Sequence, residues 1–219
     1  LLELPDTERV FLFVGQHRWE KNIRLILEAL SRFAKSGRQA ESHTPWRMVF
    51  VGNGPDEEAI RQLAVELGLT SAPARATGAG RRRGGNHHPP SVGLGHGKRS
   101  HDTGVPSAGG RSASGAQDGD RVIFYGHVLD REELKALYAR SDLFMFPSIY
   151  DNAPLVVREA AAFFTPSILA ENSHAAGDTT HDRNAFHVTP EPEALAALLG
   201  RLLAAPEIVE KVGEAASGE

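Results

Sequence analysis

Short apolar runs alternate with segments of helical periodicity over two stretches of the chain, residues 9–69 and 120–205. Continuous apolar runs of four or five residues are typical of strands that are buried on both faces. Their alternation with helical segments indicates repeated βα units. The runs lie at residues 10–14, 47–51, 122–125 and 143–146, a shorter strand is predicted at residues 167–169, and residues 185–188 could form another. The sequence therefore predicts an α/β fold, a Rossmann-like parallel sheet flanked by helices, formed by residues 1–69 and 120–219.

Helices are predicted between these strands from apolar side chains at helical spacing. One begins near Asn22, one at Pro55, one after Asp130 and one near Pro154, and a late helix covers residues 195–203. Asp130 and Glu133 have the spacing of a capping box, in which a side chain at the helix start and an acid three residues later bind backbone amides.

Residues 70–119 have a different composition from the two patterned stretches. They are rich in Gly, Ser and Arg, contain no aromatic residue and almost no large aliphatic residue. Such a segment buries too little apolar surface to offset its chain entropy. We therefore expect a disordered insertion, which the domain tolerates because loop-closure entropy grows slowly with loop length.

Composition narrows the range of functions further. The 219 residues carry a net charge of -4 and no cysteine, so disulfides and thiolate metal sites are excluded. No apolar run approaches the roughly 18 residues of a membrane helix, and no signal peptide is visible, so we expect a cytoplasmic protein. Because the chain begins at Leu1 almost directly before a strand, we expect it to be part of a longer protein.

Four loops follow predicted strands and should lie at the ligand-binding edge of the sheet. They are residues 15–22, 52–55, 126–130 and 147–154. Helix starts can bind phosphate, but acids in the first turn oppose an anion. The helices after residues 54 and 130 open with such acids, whereas the segment 152–155 contains none. We expect the anion site there, faced by His17, Arg18 and Lys21 of the first loop.

The helix predicted over residues 154–163 is apolar nearly all round, which is typical of a buried helix. It nevertheless contains Arg158 and Glu159, which are adjacent and do not face each other. A buried carboxylate needs a partner. A pair of ligand hydroxyls, a backbone amide of the core or another basic side chain could supply it.

Several other chemistries lack their sequence patterns. The histidines show no metal-binding spacing, so no metal is expected. Neither a Gly-x-Ser-x-Gly elbow nor a Gly-Lys-Ser/Thr phosphate loop occurs. A dehydrogenase-like binder would need a Gly-x-Gly-x-x-Gly turn, which is missing after the first strand. Arg81, Arg82 and Arg83 have no interleaved aromatic residues for base stacking, so nucleic-acid binding is not expected.

Four segments, in order, resemble the C-terminal domain of the family 4 retaining glycosyltransferases of GT-B fold. The first two are Phe13-Val14-Gly15 with Glu20-Lys21-Asn22, and Val51-Gly52-Asn53-Gly54-Pro55. The third runs from Phe124-Tyr125-Gly126 through Leu137-Tyr138 to Asp142-Leu143-Phe144. The fourth runs from Phe146-Pro147-Ser148 to Asp151 and on to Arg158-Glu159-Ala160, and it fits the two-acid motif of the family. Together these segments cover about two thirds of the chain.

The resemblance implies a nucleotide-sugar-binding domain and a role for each matching residue. Glu159 would bind the donor ribose, Asp151 the transferred sugar and Lys21 the departing diphosphate, and these three are the candidate catalytic residues. Cations and helix dipoles stabilise such a leaving group without an obligatory metal. The residues expected around the donor are Gly15, Gln16, Arg18, Lys21, Gly126, His127, Pro147, Ala153, Pro154, Leu155 and Glu159. For Gly126 and His127 there is an equal alternative, in which His127 is a surface residue that does not contact the donor.

The expected activity is transfer of a hexose from a nucleotide diphosphate sugar to a carbohydrate or lipid-linked glycan. The acceptor would bind an N-terminal domain that is absent from this sequence, and a non-catalytic or truncated nucleotide-sugar-binding module is the alternative. The family pattern changes at four positions. Asp151 stands where the family usually has Glu, and Phe164 and Ala185 stand where it has Gly. Gln16 stands where many members have a phosphate-binding Arg, for which Arg18 could compensate only in part.

Overall fold

A six-stranded parallel sheet forms the centre of the domain in a computed structural model. The structure describes residues 4–36, 44–71, 119–151 and 155–218. The strands are β1 Arg9–Val14, β2 Trp46–Val51, β3 Val122–Gly126, β4 Leu143–Phe146, β5 Ser167–Ala170 and β6 Phe186–Val188. Their order is β3-β2-β1-β4-β5-β6, and each neighbouring pair is parallel. The predicted Rossmann-like α/β fold is confirmed.

Six helices lie in the described part of the chain. They are α1 Ile23–Lys35, α2 Glu57–Glu66, α3 Arg131–Arg140, α4 Leu155–Ala162, α5 Pro192–Ala204 and α6 Pro206–Ser217. Two single-turn 3-10 helices occur at Trp19–Lys21 and His174–Ala176. None of the described helices combines the length and the apolarity that a membrane span requires. The helix α6 and both 3-10 turns were not predicted.

The side chains of the strands point alternately to two cores, one on each side of the sheet. Phe11 and Phe13 of β1 pack on the side covered by α1, α2 and α5. Val10 and Leu12 of the same strand pack on the side covered by α3 and α4. Because both faces of β1 are buried, its sequence is continuously apolar, as predicted.

The helix α4 differs from the prediction of a buried helix. Only Ala160 of this helix is buried, Leu155 is exposed, and Glu159 is half-buried. Small apolar residues produce the same all-round apolar pattern whether or not other elements cover them, so the pattern overstated the burial.

The capping box predicted at the start of α3 forms only in part. The carboxylate of Asp130 accepts a hydrogen bond from the amide of Glu132, at 2.9 Å, rather than from that of Glu133. The carboxylate of Glu133 accepts a bond from the Tyr125 hydroxyl at 2.6 Å instead of returning to the helix start. Burial and this carboxylate raise the pKa of Tyr125 to about 12, so the hydroxyl remains a donor at neutral pH.

Most of the predicted insertion, residues 72–118, lies outside the described residues, but its two ends are described and meet. The amide and hydroxyl of Ser71 donate hydrogen bonds to one carboxylate oxygen of Asp120, at 2.7 and 2.8 Å. The amides of Arg121 and Val122 both donate to the carbonyl of Leu69, at 2.9 and 3.1 Å. The entry and exit of the segment are therefore fastened side by side beside β3.

Replacing residues 73–117 by a short Gly-Ser linker is expected to preserve the fold and to raise the free energy of unfolding. The free-energy cost of closing a loop falls by about 1–2 kcal/mol when a loop of this length is shortened to a few residues. Urea unfolding followed by circular dichroism measures the change. A stability loss of several kcal/mol would show that the replaced residues belong to the fold.

Phe164 adopts a backbone conformation that favours glycine. Its φ is 59°, and it occupies the left-handed position two residues after the end of α4, while the amide of Thr165 donates back to the carbonyl of Ala160 at 3.1 Å. This is the cap position at which helices commonly end in glycine. The Phe164 side chain is 62% exposed, so it recovers little of the backbone cost through packing.

The substitution Phe164→Gly is therefore expected to raise the free energy of unfolding by about 0.5–1 kcal/mol, because the left-handed conformation costs a non-glycine residue more. The matched control is Phe163→Gly. The Phe163 ring stacks on that of Tyr138, with centroids 6.1 Å apart, so this change should destabilise the domain. Equal losses in both variants, measured by urea unfolding, would contradict the backbone explanation.

Candidate functional site

The strand order places a topological switch point between β1 and β4. From β1 the chain moves outward through β2 to β3, and it then returns to the other side of β1 as β4. The loops after β1 and β4 therefore lead to helices on opposite faces of the sheet, since α1 and α4 pack on different cores. Ligands of open α/β sheets bind in the crevice that such diverging loops leave at the carboxyl edge.

The loop after β1 is held against the loop after β2 by backbone contacts. The amide of Gly15 donates to the carbonyl of Val51 at 3.0 Å, and the amide of His17 donates to that of Asn53 at 2.9 Å. A side chain at Gly52 would overlap the Gly15 carbonyl, and the φ of Gly52 is +127°, so glycine is needed there. These contacts fix the course of the first loop up to residue 17.

A second set of contacts orients the next turn of this loop. The carboxylate of Asp56 accepts a hydrogen bond from the Trp19 amide at 3.0 Å. The single turn Trp19–Lys21 then ends at Asn22, which has a left-handed backbone with φ 60°. The side-chain amide of Asn22 donates to the carbonyl of Pro147 at 3.2 Å, so the loop after β1 is tied to the loop after β4.

Lys21 and Asp151 meet across the crevice. The Lys21 ammonium donates to the Oδ1 atom of Asp151 in an ion pair, and about a quarter of each side chain is exposed. The other carboxylate oxygen of Asp151, Oδ2, is buried and has no hydrogen-bond partner among the described residues. The structure thus brings together two of the three residues that the sequence marks as candidate catalytic groups.

Glu159, the third candidate, lies on α4 and has a partner that the sequence analysis did not consider. Its Oε2 atom accepts a hydrogen bond from the Tyr138 hydroxyl of α3 at 3.1 Å. Burial, and then the charge of Glu159, raise the pKa of Tyr138, so the hydroxyl stays protonated and donates. The Oε1 atom of Glu159 has no partner in the described part of the chain, and Glu159 itself is half-buried.

His17 does not take part in the cationic group that was expected around a diphosphate. Its side chain is fully buried and is surrounded by the rings of Phe13, Phe50 and Phe124, at centroid distances of 6.1 to 6.4 Å. Burial lowers the pKa of His17 below 6.5, although Glu57, whose Oε2 lies 3.4 Å from Nδ1, opposes the shift. The ring is a neutral part of the core.

The other predicted residues of the first loop are accessible. Gln16 is exposed, and Gly15 is half-exposed at the end of β1. The side chain of Arg18 is 43% exposed, and its Nη1 atom lies 3.6 Å from a carboxylate oxygen of Glu20. The Nε atom of Arg18 is buried and has no partner among the described residues. Arg18 could therefore contact an anion in the crevice.

The remaining predicted donor contacts are spread along the edge. Pro147 is buried, and its carbonyl accepts the bond from Asn22, whereas Leu155 is 67% exposed at the start of α4. Gly126 is the last residue of β3, two strands away from β1, and His127, which follows it, is exposed. Ala153 and Pro154 lie outside the described residues. The first turn of α4 contains no acid, as the sequence predicted.

Three contributors to the site were missed. Asn22 ties the loop that contains Lys21 to the loop after β4, and Tyr138 orients Glu159 from another helix. The third is Ser148, whose hydroxyl is buried without a partner among the described residues. Asparagine is one of the few residues besides glycine that adopt the left-handed conformation, and this preference could have identified Asn22 as a turn residue.

A cavity of about 840 Å³ lies beside α4, away from these groups. Its walls include Val157 and Arg158 of α4 and His174, Asp178 and Asn184 of the connection between β5 and β6. Lys21, Asp151 and Glu159 do not line it. No group of three His, Asp or Glu side chains within the described ranges is arranged to bind a metal ion.

A parallel sheet with this strand order and a charged crevice at its switch point defines a Rossmann-like ligand-binding domain. Residues 2–72 and 111–218 match the family described as Glycosyl transferases group 1. The chain belongs to this family. The unmatched residues between the two segments fall within the predicted insertion.

The proteins to which this chain is similar include other glycosyltransferases. An uncharacterized glycosyltransferase of Methanocaldococcus jannaschii is 22% identical over 201 residues, which cover 91% of this chain and 37% of that protein. Among solved structures, the C-terminal domain of a glycosyl transferase group 1 family protein from Francisella tularensis matches with a TM-score of 0.64 and 16% identity. This match covers 96% of this chain and 83% of that domain.

Two larger solved proteins contain the same fold. Sucrose-phosphate synthase from Thermosynechococcus elongatus matches with a TM-score of 0.67 and 21% identity, over 99% of this chain and 41% of that chain. HepE from Anabaena, in complex with UDP and glucose, matches with a TM-score of 0.61 and 17% identity, over 97% and 43%. The chain therefore spans less than half the length of these proteins and of the curated relative.

The buried position of His17 predicts a pH-dependent stability. The ring stays neutral in the folded state, while the unfolded chain takes up a proton as the pH falls through about 6.5. Acidification therefore removes stability, by at most about 1.4 kcal/mol per pH unit for one proton. We compare the free energies of unfolding of His17→Leu and the parent protein. As the pH falls from 7 to 5, the difference should shift in favour of the variant, relative to the difference at pH 8. Urea unfolding at several pH values measures it, and a constant difference across this range would contradict the prediction.

Proposed function

We propose that the chain is the donor-binding part of a retaining glycosyltransferase of family 4, which transfers a hexose from a nucleotide diphosphate sugar to an acceptor. The observation that carries this proposal is the meeting of Lys21 and Asp151 at the switch point of the sheet. Membership of the group 1 glycosyltransferases supports it. So do the similar folds of Anabaena HepE, whose structures include complexes with UDP and with UDP-glucose.

The diphosphate of the donor would bind at the crevice between the loops after β1 and β4. Lys21 supplies an ammonium there, and the side chain of Arg18 lies three residues earlier in the same loop. The helix α4 begins nearby with no acid in its first turn, so its positive dipole end favours an anion. When the bond between the sugar and the diphosphate breaks, the diphosphate takes the electron pair, and these groups stabilise its charge.

The ribose of the donor would bind Glu159. One oxygen of this carboxylate is occupied by the Tyr138 hydroxyl, which fixes the orientation of the side chain. The other oxygen has no partner in the described part of the chain, so it can accept hydrogen bonds from ribose hydroxyls. A carboxylate is suited to this because hydrogen bonds to a charged acceptor are stronger than those to a neutral one.

The transferred sugar would contact Asp151. Its shorter side chain places the carboxylate closer to the backbone than the Glu that is usual in family 4, and the buried Oδ2 atom has no hydrogen-bond donor among the described residues. The acceptor, a carbohydrate or a lipid-linked glycan, would bind a second domain outside this chain. A new bond between the sugar and an acceptor hydroxyl oxygen then replaces the bond to the diphosphate, and the departing diphosphate would accept the proton of that hydroxyl.

The substitution Glu159→Gln tests the ribose contact. It keeps an acceptor for the Tyr138 hydroxyl but removes the charge, so binding of a nucleoside diphosphate should weaken by about 1–3 kcal/mol. Isothermal titration of the chain with UDP, GDP and ADP measures the affinity and identifies the preferred base.

Glu171→Gln is the matched control for this titration. Glu171 is an exposed acid directly after β5, at the same edge of the sheet, and its carboxylate accepts a bond from Thr189. The control should bind like the parent protein. An unchanged affinity in a folded Glu159→Gln variant would remove Glu159 from the site, and no binding of any of the three diphosphates would refute the proposed function.

A further inference from the structure

The ion pair between Lys21 and Asp151 leaves both groups only partly satisfied. The ammonium has three donors, and Asp151 is its one side-chain partner among the described residues. The carboxylate uses Oδ1 for this bond, while Oδ2 is buried without a partner in the described part of the chain. Unpaired buried polar atoms are costly, so a site of this kind is completed by a ligand that can bind them.

Ser148 shows the same property in the same loop. It is 1% exposed, and its hydroxyl also has no hydrogen-bond partner within the described ranges. Two buried polar atoms without a partner in the described part of the chain, Ser148 Oγ and Asp151 Oδ2, thus lie within four residues of the loop after β4, which faces Lys21. These two atoms favour a ligand with several polar groups at this site over an ion pair whose role is purely structural.

The two loops do not need the ion pair to remain together. The side-chain amide of Asn22 joins them through the carbonyl of Pro147, at 3.2 Å. The loop after β1 is also held by the carboxylate of Asp56 through the Trp19 amide. Lys21 and Asp151 can therefore separate by side-chain rotation, while the backbone on both sides of the crevice keeps its course.

We propose that the Lys21–Asp151 pair is the self-neutralised resting state of the empty donor site, and that the diphosphate must displace Asp151 from Lys21. On donor binding, Lys21 would exchange the carboxylate for phosphate oxygens, and Asp151 would become free to accept hydrogen bonds from sugar hydroxyls. After transfer, Asp151 would compete again for Lys21 and favour release of the spent diphosphate. This inference rests on the proposed function.

The proposal predicts that removing an acid from the site tightens binding of the leaving group. Asp151→Asn should bind the nucleoside diphosphate of choice, from a panel of UDP, GDP and ADP, about fivefold more tightly than the parent chain. This gain corresponds to about 1 kcal/mol, the scale of a partly exposed ion pair. Isothermal titration of the 219-residue chain measures it.

A double-mutant cycle separates the exchange from a general electrostatic effect. In a Lys21→Gln background, Asp151→Asn should give no gain, because no ammonium remains to be released. A general loss of repulsion would give the same gain in both backgrounds. Glu132→Gln is the matched control, since Glu132 is an exposed acid in the first turn of α3 that pairs with Lys135 and not with Lys21. It should leave the affinity unchanged.

The outcomes are distinct. If the parent chain binds none of the diphosphates, the proposed function fails and this inference fails with it. If the parent chain binds one and Asp151→Asn binds equally or less tightly, only the resting-state pair is overturned. A gain that persists in the Lys21→Gln background overturns it as well. Melting curves show whether each variant is folded. If Asp151→Asn does not fold, Asp151→Ala is used in its place, with the same expected gain in affinity.

Discussion

The close approach of two backbone loops at the carboxyl edge of the sheet is the constraint on which the candidate site depends. The carbonyl of Gly15 occupies the space that a side chain at residue 52 would need. Because of this contact, the loop after β1 follows the loop after β2 and then turns towards β4. Lys21 meets Asp151 from that course. A substitution at Gly52 would therefore disturb the position of a charge that lies several residues away from it.

The strands and their direction could be predicted from the sequence because both faces of the central strands are buried. Burial on both faces leaves a continuous apolar run, such as that of β1, which is independent of the identity of the neighbours. The exposure of α4 could not be predicted in the same way. The apolar sequence of a helix shows that its side chains are compatible with burial. Whether they are buried depends on which other elements pack against the helix.

The individual partners of the site residues depend on tertiary contacts that no local pattern contains. Lys21 and Asp151 are separated by 130 positions, and Tyr138 and Glu159 by 21. The motif identified Asp151 and Glu159 as a pair of acids, but it did not show that each has a partner within the protein. For His17, position in a loop suggested exposure, while three aromatic rings from three different strands bury it.

The acids at the starts of α2 and α3 have roles within the fold, which leaves the starts of α1 and α4 better suited to an anion. Glu57 of α2 accepts two hydrogen bonds from Arg61, and Glu133 of α3 accepts one from Tyr125. Asp56, directly before α2, orients the Trp19 turn. These carboxylates therefore remain at the starts of α2 and α3, where they oppose a phosphate. Since the first turns of α1 and α4 have no such acid, the helix starts whose acids stabilise the domain differ from the two helix starts beside the crevice, which can face an anion.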